Sequence, residues 1–251
     1  FLGSGAGAVL MSACGGNASN TESSASPLAS SSSASSTSSS SSETSSSASP
    51  SASPSRRNSF QRGFDVELNN ADMEYTGEGY MYSTREKPGY GWSHPKRPQE
   101  MSENSELGLY YSWAYASAGI SYAMKTGDDT YIKQSGMTEG DQKLFKSIAL
   151  LEETREGKYW EESGNFVYRL ESDRPEKKGE EYSWPYQLQM FHGDFYVRNG
   201  EVHEIPENTD GWGQTVYSTG TLKARYLDGA WQMEGFFEGI ATDVVGKPFD
   251  K

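Results

Sequence analysis

Phe64, Val66 and Leu68 alternate with Asp65 and Glu67, the two-residue period of a half-buried strand. Met73, Tyr75, Tyr80 and Tyr82 carry this β character on around Gly77 and Gly79. From Lys87 to Gln99 the run KPGYGWSHPKRPQ spaces prolines and glycines so closely that it reads as a long ordered loop. The period then changes. Leu109, Trp113, Ala116, Ile120 and Ala123 fall on one helical face, with Asn104 or Ser105 as N-cap, Lys125 in the last turn and Gly127 just beyond. A second helix is predicted from the capping-box spacing of Thr138 and Asp141, the stripe Leu144, Phe145, Ile148 and Leu151, and Gly157 after it.

Beyond Gly157 the pattern returns to strands, with short runs at Phe166 to Leu170, Leu188 to Phe191 and Phe195 to Val197. Asn199-Gly200, between FYV and VHEI, is the strongest hairpin signal, because both residues tolerate positive φ. Thr219-Gly220 is expected to turn the chain between TVYS and LKARYL, and Asp228-Gly229 between that strand and AWQM. The expected fold is α+β: an antiparallel β-meander rich in Gly and aromatics, with two helices packed on one face.

Composition changes where this fold begins. Ser19 to Ser59 holds 23 serines and no aromatic residue, too little apolar surface to offset the chain entropy of folding. Residues 15–59 therefore read as a disordered Ser/Ala-rich linker spanning roughly 37 Å as a coil and up to roughly 150 Å when stretched. The folded domain is expected over 60–251. From Gln61 onward there are only 22 Ile, Leu and Val against 30 aromatics, so its core is built from rings. The net charge of −13 argues against nucleic acid as a partner. No run of 18 apolar residues exists to span a bilayer as a helix.

The N-terminus supplies another route to a membrane. FLGSGAGAVLMSACGG reads as the tail of an apolar signal region ending in small residues. Leu10, Met11, Ser12, Ala13 and Cys14 resemble the lipobox of bacterial lipoproteins, and Cys14 is the only cysteine. The resemblance implies that 1–14 is a partial signal peptide and that Cys14 is lipidated. It also implies an extracytoplasmic location in the cell envelope, since two or three acyl chains hold a protein on a membrane where one does not.

The string GWGQTVYSTGTLKARYLDGAWQMEGFFEG resembles MORN-type repeats. Gly211, Gly213, Tyr217, Gly220, Tyr226, Gly229, Trp231, Gly235 and Gly239 hold comparable places, which implies MORN-like hairpins over about 193–240. YTGEGYMY from Tyr75 is a shorter echo.

Catalytic chemistry has few carriers. His94, His192 and His203 are the only histidines, each in or beside a turn or strand end, and no nucleophile elbow, zinc-protease motif or phosphate loop accompanies them. Asp128 and Asp129 follow Gly127 as a turn, without the rest of a calcium loop. Glu161-Glu162 and Glu180-Glu181 are adjacent, so a strand sends each pair to opposite faces. No catalytic residue, metal ligand or cofactor is assigned. The glycine-flanked rings Trp92, Trp212, Tyr217, Tyr226 and Trp231 are the candidate ligand-binding residues, Tyr90 standing beside them, because such rings offer stacking area at little rotamer cost. The expectation is a non-enzymatic module that binds envelope glycan or an envelope protein. An envelope hydrolase, a substrate-capturing lipoprotein of a transport system and an immunity-type protein are the alternatives.

Overall fold

The computed structural model of the chain describes residues 59–206 except 76 and 78, then 215–238 and 240. Cys14, the linker up to residue 58, Gly211, Trp212, Gly213 and Gly239 lie outside the described residues.

The domain is α+β with antiparallel sheets, as the pattern predicts. Two short strands, β1 (Met73–Glu74) and β2 (His94–Pro95), pair before the helices. Helix α1 (Glu106–Thr126) begins where the Ser105 hydroxyl accepts from the Gly108 N–H at 3.0 Å and ends at Gly127, whose φ of 74° lets its N–H close on the Ala123 carbonyl. Helices α2 (Thr130–Lys133), α3 (Glu139–Ile148) and α4 (Leu151–Arg155) follow. The predicted second helix is thus two helices, broken at Leu150 with φ 47°. Thr138 makes no side-chain cap bond, and Asp141 accepts instead from the Gly235 N–H at 2.8 Å.

The strands are β3 (Tyr159–Glu161), β4 (Asn165–Leu170), β5 (Glu176–Lys178), β6 (Glu181–Phe191), β7 (Phe195–Arg198), β8 (Glu201–Glu204), β9 (Thr215–Leu227) and β10 (Ala230–Glu234). The main sheet runs β10-β9-β6-β4, and β5 continues β4 along the same edge of β6. The smaller sheet is β3-β7-β8. Residues 63–66 extend the main sheet beyond β4, with the Val66 N–H donating to the Tyr168 carbonyl at 2.6 Å.

Alternation decides what the sheet buries. Phe166, Tyr168 and Leu170 of β4, Trp184, Tyr186 and Leu188 of β6, Leu222 of β9 and Met233 of β10 all face α1's side and are buried. At the centre Trp113 of α1 lies edge-on to Tyr168 and Tyr186 at centroid distances of 5.7 and 5.6 Å. Rings replace aliphatic layers here as the composition implies.

Both predicted Asx-Gly hairpins form: Asn199-Gly200 turns β7 into β8, and Asp228-Gly229 turns β9 into β10, all four residues at positive φ. Thr219-Gly220 is not a turn. β9 runs straight through it, and Gly220 is there because a Cβ would lie 2.5 Å from the Tyr186 hydroxyl, which passes over it to the Gly235 carbonyl. β7 and β8 belong to a different sheet from β9 and β10.

Candidate functional site

The exposed rings lie ahead of α1. Tyr75, Tyr80, Tyr82 and Tyr90 are between 47 and 68 % exposed, and Met81 lies among them. Met81, Tyr82 and Tyr90 ride on a narrow loop closed by reciprocal backbone bonds between Met81 and Tyr90 of 3.1 and 3.0 Å, and Tyr80 flanks its neck. Two glycines make the fold of this loop possible. A Cβ on Gly91, at φ 72°, would lie 1.7 Å from the Gly79 carbonyl oxygen, and one on Gly89 would lie 2.5 Å from the Trp92 ring.

The loop is held at its far end by the smaller sheet. The Trp160 indole donates to the Thr84 carbonyl at 2.8 Å. Arg85 grips Glu204 with two hydrogen bonds of 3.0 and 2.9 Å and covers the Phe195 ring at 4.6 Å. Tyr80 meets Tyr82 and Trp92 edge-on at 4.7 and 5.1 Å. Partial burial, then Tyr82 beside it, pushes the Tyr80 phenol up to about 12, so it stays a neutral donor at physiological pH.

Beneath the loop Trp92 meets the C-terminal end of α1. The Lys125 ammonium stands 4.8 Å from the Trp92 ring centre, and burial lowers its pKa. Among the described residues no carboxylate pairs with Lys125. Trp92, Tyr122 and Lys125 line two cavities at once. One, of about 300 Å³, lies between α1, residues 65–68 and the start of β4. The other, of about 340 Å³, lies between residues 88–91, the end of α1 and the 154–157 turn.

Of the rings picked out from the sequence, Trp92 stands at this site. Tyr217 is half-buried on the opposite face of the main sheet, where its hydroxyl accepts from Gln189 at 3.0 Å. Tyr226 packs on the core with its hydroxyl on the Ser102 carbonyl at 2.5 Å. Trp231 is a core residue, 3 % exposed, its indole donating to the Glu103 carbonyl at 3.0 Å. Trp212 is outside the described residues. Sequence reasoning passed over Tyr80 and Tyr82 as strand residues. The available signal is that EYTGEGYMY carries amphipathic tyrosines and a single methionine, with no Ile, Leu, Val or Phe to anchor a buried face.

The three histidines lie apart from one another, and His94 alone borders this site, edge-on to Tyr122 at 6.0 Å. His94 stacks on Tyr131 at 5.2 Å, and His203 on Tyr196 at 4.6 Å. His192 Nδ1 is 2.9 Å from Glu161, a carboxylate that also receives the Tyr159 hydroxyl. Burial pulls the His192 imidazole down, but Glu161 outweighs it and holds the ring above its ordinary 6.5. Glu162 turns to the other side and accepts from the Asp194 N–H at 2.6 Å. Asp128 caps Thr130, and Asp129 is gripped by Lys133 at 2.8 Å and Lys146 at 3.0 Å. Among the described residues no group of three or more His, Cys, Asp or Glu side chains could hold a metal ion.

Residues 78–236 match the family described as a family of unknown function, DUF6318. The chain belongs to that family. The match opens just before Tyr80 and closes at the turn after β10, so it takes in Trp92, Lys125 and the second cavity, whereas the 65–68 wall of the first cavity lies ahead of it. Comparison with curated proteins and with solved structures found no match in either case.

Proposed function

We propose that this DUF6318 protein is a lipoprotein, acylated at Cys14 and displayed on the outer side of a cell membrane, whose folded domain is a non-enzymatic module for envelope glycan. The observation that carries the binding reading is the tyrosine loop: Tyr80, Tyr82 and Tyr90 present ring area to solvent on a backbone clamped at Thr84 and Arg85. Sugar rings stack on such faces, and tyrosine phenols can exchange hydrogen bonds with sugar hydroxyls. Holding the rings in place beforehand lowers the ordering cost of binding. A charge of −13 disfavours strong polyanions such as teichoic or nucleic polymers.

The reading is tested by co-sedimentation of the full-length protein with purified peptidoglycan. Tyr80→Ser combined with Tyr82→Ser should reduce retention about tenfold or more with only a small fall in melting temperature, since Tyr82 is largely exposed and Tyr80 half exposed. Equal retention of the variant and the parent would remove the glycan assignment. Anchoring is tested separately. Cys14→Ser should move the protein from the membrane to the soluble fraction and abolish acyl mass on the N-terminal peptide.

A further inference from the structure

The cavity between α1 and residues 65–68 has the volume of a small-molecule site, at the lower end of the range of about 300–1,000 Å³. Its walls mix the apolar side chains of Val66, Leu68 and Phe166 with the hydroxyls of Ser117 and Ser121, and the carboxylates Asp65 and Glu67 also line it. The helix side exists because Ala114 and Ala118 are too short to reach across. From Ala114 to Lys125 the cavity follows α1 for about 16 Å and is open to solvent along one side.

Lys125 lines one end of this open channel. A lysine in the last turn of a helix normally serves the helix dipole from water. Here the ammonium instead lies against the Trp92 ring, partly withdrawn from solvent, and no described carboxylate neutralises it. The Trp92 indole Nε1 is also buried and has no hydrogen-bond acceptor among the described residues. A cation without a carboxylate partner and an N–H donor without an acceptor thus belong to residues that line the same cavity.

We infer that this channel takes a small monocarboxylate with an extended apolar body, its carboxylate resting on Lys125 beside Trp92. One cation matches one negative charge, whereas a phosphate dianion asks for more donors than the channel supplies. Of the two carboxylates in the lining, Asp65 is paired with Arg169 at 2.7 Å and Glu67 is exposed, and the acidic surface beyond them does not prevent binding. Its field is screened over about 10 Å at 0.1 M salt, while the Lys125 contact is short and partly desolvated. The inference rests on the reading of the domain as a binding module but concerns a different ligand from the glycan at the tyrosine loop.

Octanoate is the probe, titrated calorimetrically into the full-length protein with octan-1-ol as the uncharged control. Octanoate should bind saturably and about tenfold or more tightly than the alcohol. Lys125→Met should bring octanoate down to the level of the alcohol and leave the alcohol unchanged, and Lys125→Arg should keep the preference for the acid. Ala118→Leu, which fills the channel without altering Lys125, should weaken both ligands. The inference is overturned by absence of saturable octanoate binding to the parent, or by equal octanoate affinity in the parent and Lys125→Met. Octanoate binding without peptidoglycan retention would remove only the glycan reading, and retention without octanoate binding would remove only this one.

Discussion

Asp129 is the most heavily invested single charge in the domain. Its side chain is 9 % exposed, and Lys133, Lys146 and Arg155 surround it. Burial works against the carboxylate, but the hydrogen bonds from Lys133 and Lys146 prevail and hold its pKa below the ordinary 3.8. Because the folded value is depressed, its stabilisation is complete above pH 3.8 and disappears as the pH falls through the folded value. Asp129→Asn should cost about 1–3 kcal/mol in denaturant unfolding at neutral pH, less than a fully buried pair because the three cations are half exposed. His192 runs the other way. Its raised pKa makes the protonated ring the stabilising form, so the contribution is complete below pH 6.5 and fades as the pH rises through the folded value. The difference in melting temperature between parent and His192→Gln should therefore shrink from about pH 6 to pH 8.

At the scale of elements, β9 shows how one small residue lets a long strand cross a crowded sheet. Gly220 gives way to the Tyr186 hydroxyl, which ties the middle of β6 to Gly235 after β10. Asp141 of α3 receives the Gly235 N–H, so that turn is held from both sides. Gly220→Ala should expel the hydroxyl and destabilise the fold by about 1–3 kcal/mol, read as a lower urea midpoint with an unchanged slope. An unaltered midpoint would mean that Tyr186 relocates freely.

Over the whole molecule, the ring-built core and the ring-bearing surface are separate. Trp113, Tyr168, Trp184 and Tyr186 are interior, and the tyrosine loop is secured to the smaller sheet through the Arg85–Glu204 bridge. That bridge is exposed, so its own contribution to stability is small. Its value lies in fixing the loop. Arg85→Ala should leave the melting temperature nearly unchanged yet weaken peptidoglycan retention several-fold, because the loop must then be ordered on binding.

Local physics was enough to specify much of this domain from sequence. Ser105 and Gly127 bound α1, and Asn199-Gly200 and Asp228-Gly229 set two hairpins, because caps and positive-φ turns depend on a few adjacent residues. The scarcity of aliphatic residues likewise foretold a core of rings. Tertiary contact decided the rest. Gly220 reads as a turn until Tyr186 is laid across it, and Asp141 reads as a helix cap until Gly235 arrives to claim it. Trp231 and Trp92 look alike beside their glycines, but only packing buries the first and sets the second over Lys125. Whether a ring faces core or solvent depends on which distant surface comes to cover it, and no neighbour in the chain encodes that.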